Sequence, residues 1–320
     1  MTTFADGLYQ FGGQPVGSGL PISPGSVYFV DYGSGSDGNS GTSPRSPWKT
    51  IEYANSAVAT NQDNIIVLQG NSTHVLSAML TVSNNRVHFV GADGTTGRMY
   101  GQNAKVSLTA TTGATNKFTM KNTGVRNSFT NIKFINSSTV TEGIYCVGEG
   151  GEYALYQNCE IYKDTDLDET TAAELVLNGD SAQFYNCTIG SLANVLVGNI
   201  IRPCVDLTNG VVGAGLVTRD STMVNCNYWR YLAGTAGVFI RSAASADVER
   251  MLMIESPKFV AANLGSTPAV CISLGATLLD GWIAVNNPAG FNVTKIATAT
   301  GVLVNGAAPS SGTGIAVNAA

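Results

Sequence analysis

The chain is poor in charge and has no excess of basic residues. Charged residues make up 12% of its 320 residues, about half the share that is usual in a globular domain. Seventeen basic and 22 acidic residues give a net charge of −5. Because no positive field is available to hold a phosphate backbone, we expect no nucleic acid partner.

Long apolar runs are also missing. No run approaches the roughly 18 apolar residues that a membrane-spanning helix needs. The start, MTTFADGLYQFGGQPVGSGLP, has neither the basic segment nor the continuous apolar segment of a signal peptide. We therefore expect no membrane contact and synthesis in a cytoplasm.

The six cysteines include no CxxC pair, which argues against a zinc site and against a thioredoxin-like motif. They are dispersed in apolar surroundings, which favours buried free thiols over disulfides. The 37 glycines are well above the average share of about 7%. Together with many Thr, Ser and Asn residues, this composition is typical of all-β chains. The cysteines are Cys146, Cys159, Cys187, Cys204, Cys226 and Cys271.

A repeat becomes visible when the chain is aligned on asparagine. Four segments share a large apolar residue two before an Asn, Ile or Cys directly after it, and a large apolar residue three after it. They are FTNIKF (129–134), YQNCEI (156–161), FYNCTI (184–189) and MVNCNY (223–228). The central residues are Asn131, Asn158, Asn186 and Asn225, spaced by 27, 28 and 39 residues. Periods of 20 to 50 residues indicate a solenoid, here with an insertion in its third turn.

The repeat changes phase at its asparagine. Apolar residues lie two positions before Asn186 and one and three positions after it, whereas a straight strand alternates strictly. Asn tolerates the left-handed conformation that would turn the chain and reset which side chains face inward. Stacked asparagines could also hydrogen-bond along the stack. The pattern predicts a right-handed parallel β-helix with Asn corners.

The sequence resembles the pectin-lyase-like single-stranded β-helices. VYFVDYGSGSDGNSGTSPRSPWKTIEYANSAV (27–58) looks like their amino-terminal cap, with a strand, a loop and a short helix from about Trp48 to Val58. DNIIVLQGNSTHVLSAMLTVSNNRVHFVG (63–91) resembles their first turns. A cap is expected because the first turn would otherwise expose strand edges and core.

Three regions are predicted. Residues 1–24 form an extended arm whose large apolar side chains are expected to dock on a neighbour. Residues 25–260 form the capped β-helix, and residues 261–320 form a β-rich, nearly uncharged region expected to make subunit contacts in a homotrimer. The arm side chains are Phe4, Leu8, Tyr9 and Phe11.

The resemblance implies a search for polysaccharide chemistry: clustered Asp pairs in hydrolases, and calcium-binding carboxylates with a basic residue in lyases. The chain has no Asp-Asp dipeptide, and His74 and His88 are far in sequence from any Asp pair. The acidic run at 164–169 lacks the Gly and the final Glu of an EF-hand loop, although a looser calcium site remains open. We expect no catalytic residue, cofactor or metal and no enzymatic activity.

One surface is a candidate for glycan contact. Trp229 and Tyr228 follow the last Asn corner directly and could stack on sugars, and Glu160 lies on an outward-facing stripe.

The functional expectation is a structural protein of a tailed-bacteriophage virion: a trimeric head decoration or fibre-like component that attaches to the capsid through its arm. The missing export signal, the aromatic arm and the absence of catalytic residues support it. Two alternatives remain open. One is a tailspike-type protein that binds or cleaves a host surface polysaccharide, and the other is a secreted lyase.

Overall fold

The computed structural model describes residues 23–70, 72–92, 104–109, 117–138, 144–165, 172–196, 202–232, 237–263, 270–276, 278, 280–293, 295–297 and 301–305. Within these residues the chain forms 25 strands and the helix α1 (Ile51–Ala57). The strands are β1 (Val27–Val30), β2 (Asn64–Gln69), β3 (Thr73–Leu76), β4 (Leu80–Val82), β5 (Val87–Ala92), β6 (Ala104–Leu108), β7 (Phe118–Asn122), β8 (Ser128–Thr130), β9 (Ile132–Asn136), β10 (Tyr145–Glu149), β11 (Leu155–Gln157), β12 (Glu160–Lys163), β13 (Ala173–Leu177), β14 (Gln183–Tyr185), β15 (Thr188–Leu196), β16 (Val205–Asp206), β17 (Thr218–Val224), β18 (Asn227–Leu232), β19 (Ile240–Ser242), β20 (Val248–Glu255), β21 (Lys258–Asn263), β22 (Ile272–Leu274), β23 (Gly281–Asn286), β24 (Ala289–Phe291) and β25 (Val302–Asn305).

The strands form three parallel sheets that the chain visits in turn. Sheet 1 has the order β1, β2, β5, β8, β11, β14, β17, β20, β23, β25. Sheet 2 has the order β3, β6, β9, β12, β15, β18, β21, β24, and sheet 3 has the order β4, β7, β10, β13, β16, β19, β22. Each turn of the coil, or rung, therefore adds one strand to each sheet, as the repeat predicts for a right-handed parallel β-helix.

The core is a set of columns that run along the coil. In sheet 1 the rings of Phe89, Phe129, Tyr156 and Phe184 stack in that order, with centroids 5.4, 4.8 and 4.5 Å apart. All four side chains are almost fully buried. Such offset-stacked aromatic pairs add about 0.5–1.5 kcal/mol each beyond their area burial. Because neighbouring rungs repeat the same position, one favourable contact recurs along the helix.

The Asn corners join sheet 1 to sheet 2. The backbone φ angles of the corner residues Asn131, Asn158, Asn186 and Asn225 lie between 52° and 57°. Phe184, two before one corner, and Cys187 and Ile189, one and three after it, are fully buried. The side chain of Asn158 also donates a hydrogen bond of 3.2 Å to the side-chain oxygen of Asn131. These corners explain the change of phase in the sequence.

The amino-terminal end is closed by β1 and α1. Thr50 caps the helix, since its hydroxyl oxygen accepts a hydrogen bond of 3.2 Å from the backbone N–H of Tyr53. Trp48 is buried and stacks on Tyr28 with centroids 4.7 Å apart. The helix begins at Ile51, not at the predicted Trp48, because Trp48 pairs with Val30 in a β-bridge.

The coil continues past residue 260, where the sequence predicts a separate β-rich region. β22, β23, β24 and β25 extend the same three sheets. All six cysteines are free and buried, as predicted. The arm residues Phe4, Leu8, Tyr9 and Phe11 lie outside the described residues. Among the described residues no helix is long and apolar enough to cross a membrane.

Candidate functional site

A second column of left-handed residues lines the corner between sheet 3 and sheet 1. Their φ angles lie between 45° and 62°. This column contains Arg and Tyr residues, which rarely adopt the conformation, and each costs of order 1–3 kcal/mol of backbone strain. Strain retained at the same position of successive rungs points to a functional surface. The column consists of Arg86, Arg126, Tyr153, Ser181, Asp220 and Arg250.

A groove opens on this corner. Its volume is about 390 Å³, and the backbone of neighbouring rungs frames it. The backbone N–H of Arg86 donates to the carbonyl of Val125 at 2.9 Å, and that of Arg126 donates to the carbonyl of Glu152 at 2.8 Å. The lining residues are Asn61, Asn85, Arg86, Val125, Arg126, Glu152 and Tyr153. We call this the corner groove.

The corner groove is polar with one aromatic face. Tyr153 is 53% exposed, and the guanidinium carbon of Arg126 lies 5.6 Å from the centroid of its ring. Amide, guanidinium and carboxylate groups surround the ring. An exposed aromatic face among hydrogen-bonding groups of both kinds is suited to sugars, which present C–H faces and hydroxyl groups.

Ion pairs lie along the corner between sheet 3 and sheet 1, beyond the corner groove. Arg219 forms ion pairs with Asp180, at 3.4 Å, and with Glu249. Arg250 forms ion pairs with Asp220, at 2.9 Å, and with Asp180. In a chain with so few charged residues, these pairs make the sheet 3–sheet 1 corner a strongly polar edge of the coil.

A chemically distinct cluster lies beside the corner groove, on the outer face of sheet 1. The Nδ1 atom of His88 is 2.8 Å from the hydroxyl oxygen of Ser128. Its Nε2 atom is 3.5 Å from a carboxylate oxygen of Asp63. The other carboxylate oxygen of Asp63 pairs with Arg86, whose Nε also donates to the carboxylate at 2.8 Å. The cluster thus joins a hydroxyl, an imidazole and a carboxylate in series.

Burial and charge set the protonation states in this cluster. Burial lowers the pKa of His88, and the neighbouring Asp63 only partly offsets this effect. Burial alone would raise the pKa of Asp63, but the hydrogen bonds and positive charge of Arg86, with a smaller contribution from His88, lower it overall. At neutral pH the cluster therefore pairs a neutral imidazole with an ionised carboxylate.

Of the three residues predicted to contact a glycan, two lie on the outer face of sheet 2 and one points into the core. Trp229 is half-buried on the outer face, and Glu160 lies there in an ion pair of 2.8 Å with Lys133. Tyr228 is fully buried and stacks on Phe259 at 5.0 Å. Contact between Tyr228 and a glycan is therefore a wrong prediction. Tyr228 lies three positions after the Asn225 corner, where side chains point into the core.

The acidic run considered for calcium is described only at its start. Asp164 accepts a hydrogen bond of 2.8 Å from the hydroxyl of Ser137. Asp166, Asp168 and Glu169 lie outside the described residues. In the part of the chain that the structure describes, no group of three or more His, Cys, Asp and Glu side chains is arranged to hold a metal ion.

Comparison with known proteins adds a fold relationship. No protein-family model and no curated protein sequence matches the chain. A rhamnogalacturonan lyase matches with a TM-score of 0.59 and 11% identity over 88% of this chain and 73% of the lyase. A pectin methylesterase from carrot matches with a TM-score of 0.54 and 12% identity over 90% and 91%. The pectate lyase Pel9A matches with a TM-score of 0.51 and 12% identity over 91% and 80%.

The chain has the pectin-lyase-like parallel β-helix fold. At this level of identity the likeness establishes the fold alone, and the reactions of the three enzymes are their own.

The same comparisons correct the expectation of a protein without enzymatic activity. That prediction is wrong, because the similar structures are enzymes, two lyases and a methylesterase. Carboxylate pairs close in sequence are a poor guide in this fold, since the coil brings residues from different rungs together. The predicted virion location, capsid attachment and homotrimer find no support in these comparisons and stay predictions.

Proposed function

We propose that this β-helix protein binds a polysaccharide along the corner groove, as the tailspike-type alternative requires. The supporting observation is the exposed ring of Tyr153 beneath Arg126, held by left-handed residues in a groove of about 390 Å³. The fold agrees with this role, because the similar structures carry the names of polysaccharide-acting enzymes.

The dimensions of the groove suit an oligosaccharide. Its lining comes from four successive rungs, beginning at Asn61 and ending at Tyr153. At about 4.8 Å per rung, these levels span about 14 Å along the coil axis. A sugar chain laid along this axis would meet a new side chain at every rung.

The chemistry of the lining also separates a sugar from other ligands. The groove combines Arg86 and Arg126 with Glu152, so it lacks the uniform positive charge of a nucleic acid site. Of its lining residues only Val125 and Tyr153 are apolar or aromatic, whereas pockets for drug-like molecules are lined mainly by apolar groups. Donors and acceptors around one stacking ring fit a hydroxyl-rich chain.

The test is affinity electrophoresis of the full chain in native gels that contain polygalacturonate or one of a panel of neutral and acidic polysaccharides. We expect at least one polysaccharide to retard the wild-type protein. Tyr153→Asn should weaken the retardation about five- to tenfold, the effect of losing one aromatic stacking contact. Asn is chosen because it tolerates the left-handed backbone at this position.

A matched control is Tyr162→Asn. Tyr162 lies on the outer face of sheet 2 with Lys133 Nζ 5.3 Å from its ring centroid, so it reproduces the cation–ring pair outside the groove. Retardation that is lost in Tyr162→Asn but kept in Tyr153→Asn would move binding to sheet 2 and overturn the groove assignment. Absence of retardation in every gel would overturn polysaccharide binding.

A further inference from the structure

Strands β5 and β8 of sheet 1 and the residue that precedes β2 bring the His88, Ser128 and Asp63 side chains together. In the parallel register, Ile65 of β2 pairs with His88 of β5, and His88 pairs with Ser128 of β8. The next residues, Phe89 and Phe129, point into the core, so His88 and Ser128 point outward. Asp63 lies directly before β2, two residues before Ile65, and has a φ of 53°.

The hydrogen bonds fix the imidazole tautomer. An ionised carboxylate can only accept hydrogen bonds, so the Nε2 atom of His88, which faces Asp63, carries the proton. The Nδ1 atom is then an acceptor, and the Ser128 hydroxyl donates to it at 2.8 Å. This is the arrangement that a general base needs to activate a serine hydroxyl.

The cluster adjoins the corner groove directly. Arg86 and Arg126 line the groove and precede His88 and Ser128 by two residues each. Two residues of extended chain span about 7 Å. A substituent on a sugar bound in the groove would therefore lie within reach of the Ser128 hydroxyl. Ser128 keeps 8% of its surface exposed, and the side chains of His88 and Asp63 keep 17% and 16%.

We propose that Ser128, His88 and Asp63 form a serine esterase site that removes O-acyl groups from the polysaccharide bound in the corner groove. The identity of the substrate rests on the proposed function. Ser128 and His88 are the catalytic residues, and Asp63 is a positioning residue that acts through His88. The site uses neither a metal ion nor a pair of carboxylates.

The reaction is a two-step acyl transfer to water. The Ser128 oxygen attacks the ester carbonyl carbon as its proton passes to Nδ1 of His88. The carbon–oxygen bond to the sugar then breaks, and His88 returns the proton to the leaving sugar oxygen, which leaves an acyl-Ser128 ester. A water molecule attacks this ester and gives a proton to His88. Release of the carboxylic acid restores the Ser128 hydroxyl with the proton from His88.

Arg86 supports the esterase site through its contacts with Asp63. Its guanidinium holds the Asp63 carboxylate through two nitrogens, which keeps the carboxylate ionised and directed at His88. The Arg86 side chain is 42% exposed, so it also brings positive charge to the border between groove and cluster. That charge favours the oxyanion that develops on the ester carbonyl oxygen.

A hydroxyl bonded across neighbouring rungs also occurs without such partners, and this offers a control. Ser107 in β6 lies on sheet 2 with 7% of its surface exposed, and its hydroxyl is 3.2 Å from that of Ser137. Ser107→Ala and Ser128→Ala thus remove the same group at the same burial. Of these two serines, only Ser128 has an imidazole at hydrogen-bond distance.

The experiment measures acetate release from O-acetylated polygalacturonate and hydrolysis of 4-nitrophenyl acetate by the full-length protein. We expect Ser128→Ala and His88→Asn to lower both rates at least 100-fold, with Ser107→Ala within twofold of wild type. A fluorophosphonate probe should label the wild-type protein at Ser128, as read by peptide mass spectrometry. Equal melting temperatures of Ser128→Ala and Ser107→Ala exclude misfolding as the cause.

Asp63→Asn tests the positioning role. The rate should fall at least tenfold, and the acidic limb of the rate–pH profile should move to lower pH, because the charge that favours protonated His88 is gone. A loss of rate with an unmoved acidic limb would contradict this role. It would instead indicate that Asp63 only supports the fold.

The outcomes separate this inference from the proposed function. Polysaccharide binding without Ser128-dependent hydrolysis or labelling would overturn the esterase site and leave the binding proposal intact. Ser128-dependent hydrolysis of 4-nitrophenyl acetate without polysaccharide binding would support the serine chemistry and overturn the proposed function. Ser128→Ala should still be retarded in the affinity gels like the wild-type protein.

Discussion

The guanidinium of Arg126 lies over the ring of Tyr153, and both residues have left-handed backbone conformations, with φ of 59° and 55°. Neither residue type favours this conformation. The pair therefore gives up backbone stability while placing an aromatic face and a positive charge at the surface. Proteins retain such strain mainly where a site needs it, which is why this pair is central to the proposed binding groove.

Tyr153→Asn should separate binding from stability. Asn relieves the left-handed strain, whereas loss of the ring removes a cation–π contact that contributes about 0.5–1 kcal/mol at an exposed site. We expect the free energy of unfolding to stay within about 1 kcal/mol of the wild-type value, although polysaccharide binding weakens. Urea denaturation measures this directly. A loss above about 3 kcal/mol would mean that Tyr153 serves the fold.

An Asn corner contributes to stability in two ways, through low strain of the left-handed backbone and through a side-chain hydrogen bond. The two contributions can be separated at Asn158. Asn158→Val should lower the free energy of unfolding by about 1–3 kcal/mol more than Asn158→Gly, because a β-branched residue is strained at φ 52° and glycine is not. Both variants lose the hydrogen bond to Asn131, so their difference reports the strain, reduced by the greater unfolded-state entropy of glycine. Chemical denaturation of the two variants provides the comparison. Equal stabilities would contradict the role of left-handed strain at this corner.

Whether a corner of the coil can be predicted from the sequence depends on which residue types occupy it. The Asn corner was predictable because the same residue type recurs at Asn131, Asn158, Asn186 and Asn225, with apolar residues in a fixed phase around it. The corner between sheets 3 and 1 was not, since Arg, Tyr, Ser and Asp share no type. Glycine or asparagine would have signalled left-handed residues there, but neither occupies those positions.

The hydroxyl, imidazole and carboxylate cluster escaped prediction for a related reason. Asp63, His88 and Ser128 are 25 and 40 residues apart, and only the register of three strands brings them together. Aligning the early rungs at the residue level would have placed His88 and Ser128 in one column, but with Ile65 in place of Asp63. Tyr228 shows the opposite case, because the phase around the Asn corners already implied that its side chain is buried.

Glu149 should make stability depend on pH. It is fully buried, and burial raises its pKa to about 7 despite four hydrogen bonds from Tyr156, Asn122 and Gly151. The folded state then holds this proton more tightly than the unfolded state, so its contribution to stability is complete below pH 4.5 and lost by about pH 7. The expected loss is about 3 kcal/mol.

The Glu149 effect is isolated by comparing the wild type with Glu149→Gln, which cannot titrate. Denaturation curves from pH 4.5 to 8 should show the gap between the two proteins changing up to about pH 7 and constant above it. Parallel pH dependences would show that Glu149 does not carry the titration.

A buried charge cluster inside the coil should be sensitive to loss of the Glu174 carboxylate. Glu174 is fully buried and pairs with Arg202 at 3.1 Å and Arg230 at 2.7 Å. Burial raises its pKa, but the two guanidinium groups outweigh this effect, and the net shift is downward. Glu174→Gln should destabilise by about 3–5 kcal/mol, because it leaves buried positive charge without compensation.

The control for Glu174→Gln is Glu249→Gln. Glu249 also pairs with an arginine, Arg219, but both side chains are more than one-third exposed. Solvent screens that pair, so the change should cost no more than about 1 kcal/mol. Similar losses in the two variants, measured by guanidinium denaturation, would contradict the role assigned to burial.

Binding of a polysaccharide along the corner groove can be observed in a crystal structure of the full chain with an oligosaccharide of the retarding polysaccharide. We predict sugar density across Asn85, Arg86 and Arg126, with one ring stacked on Tyr153. Density over Trp229 and Glu160 on sheet 2, with an empty corner groove, would contradict it.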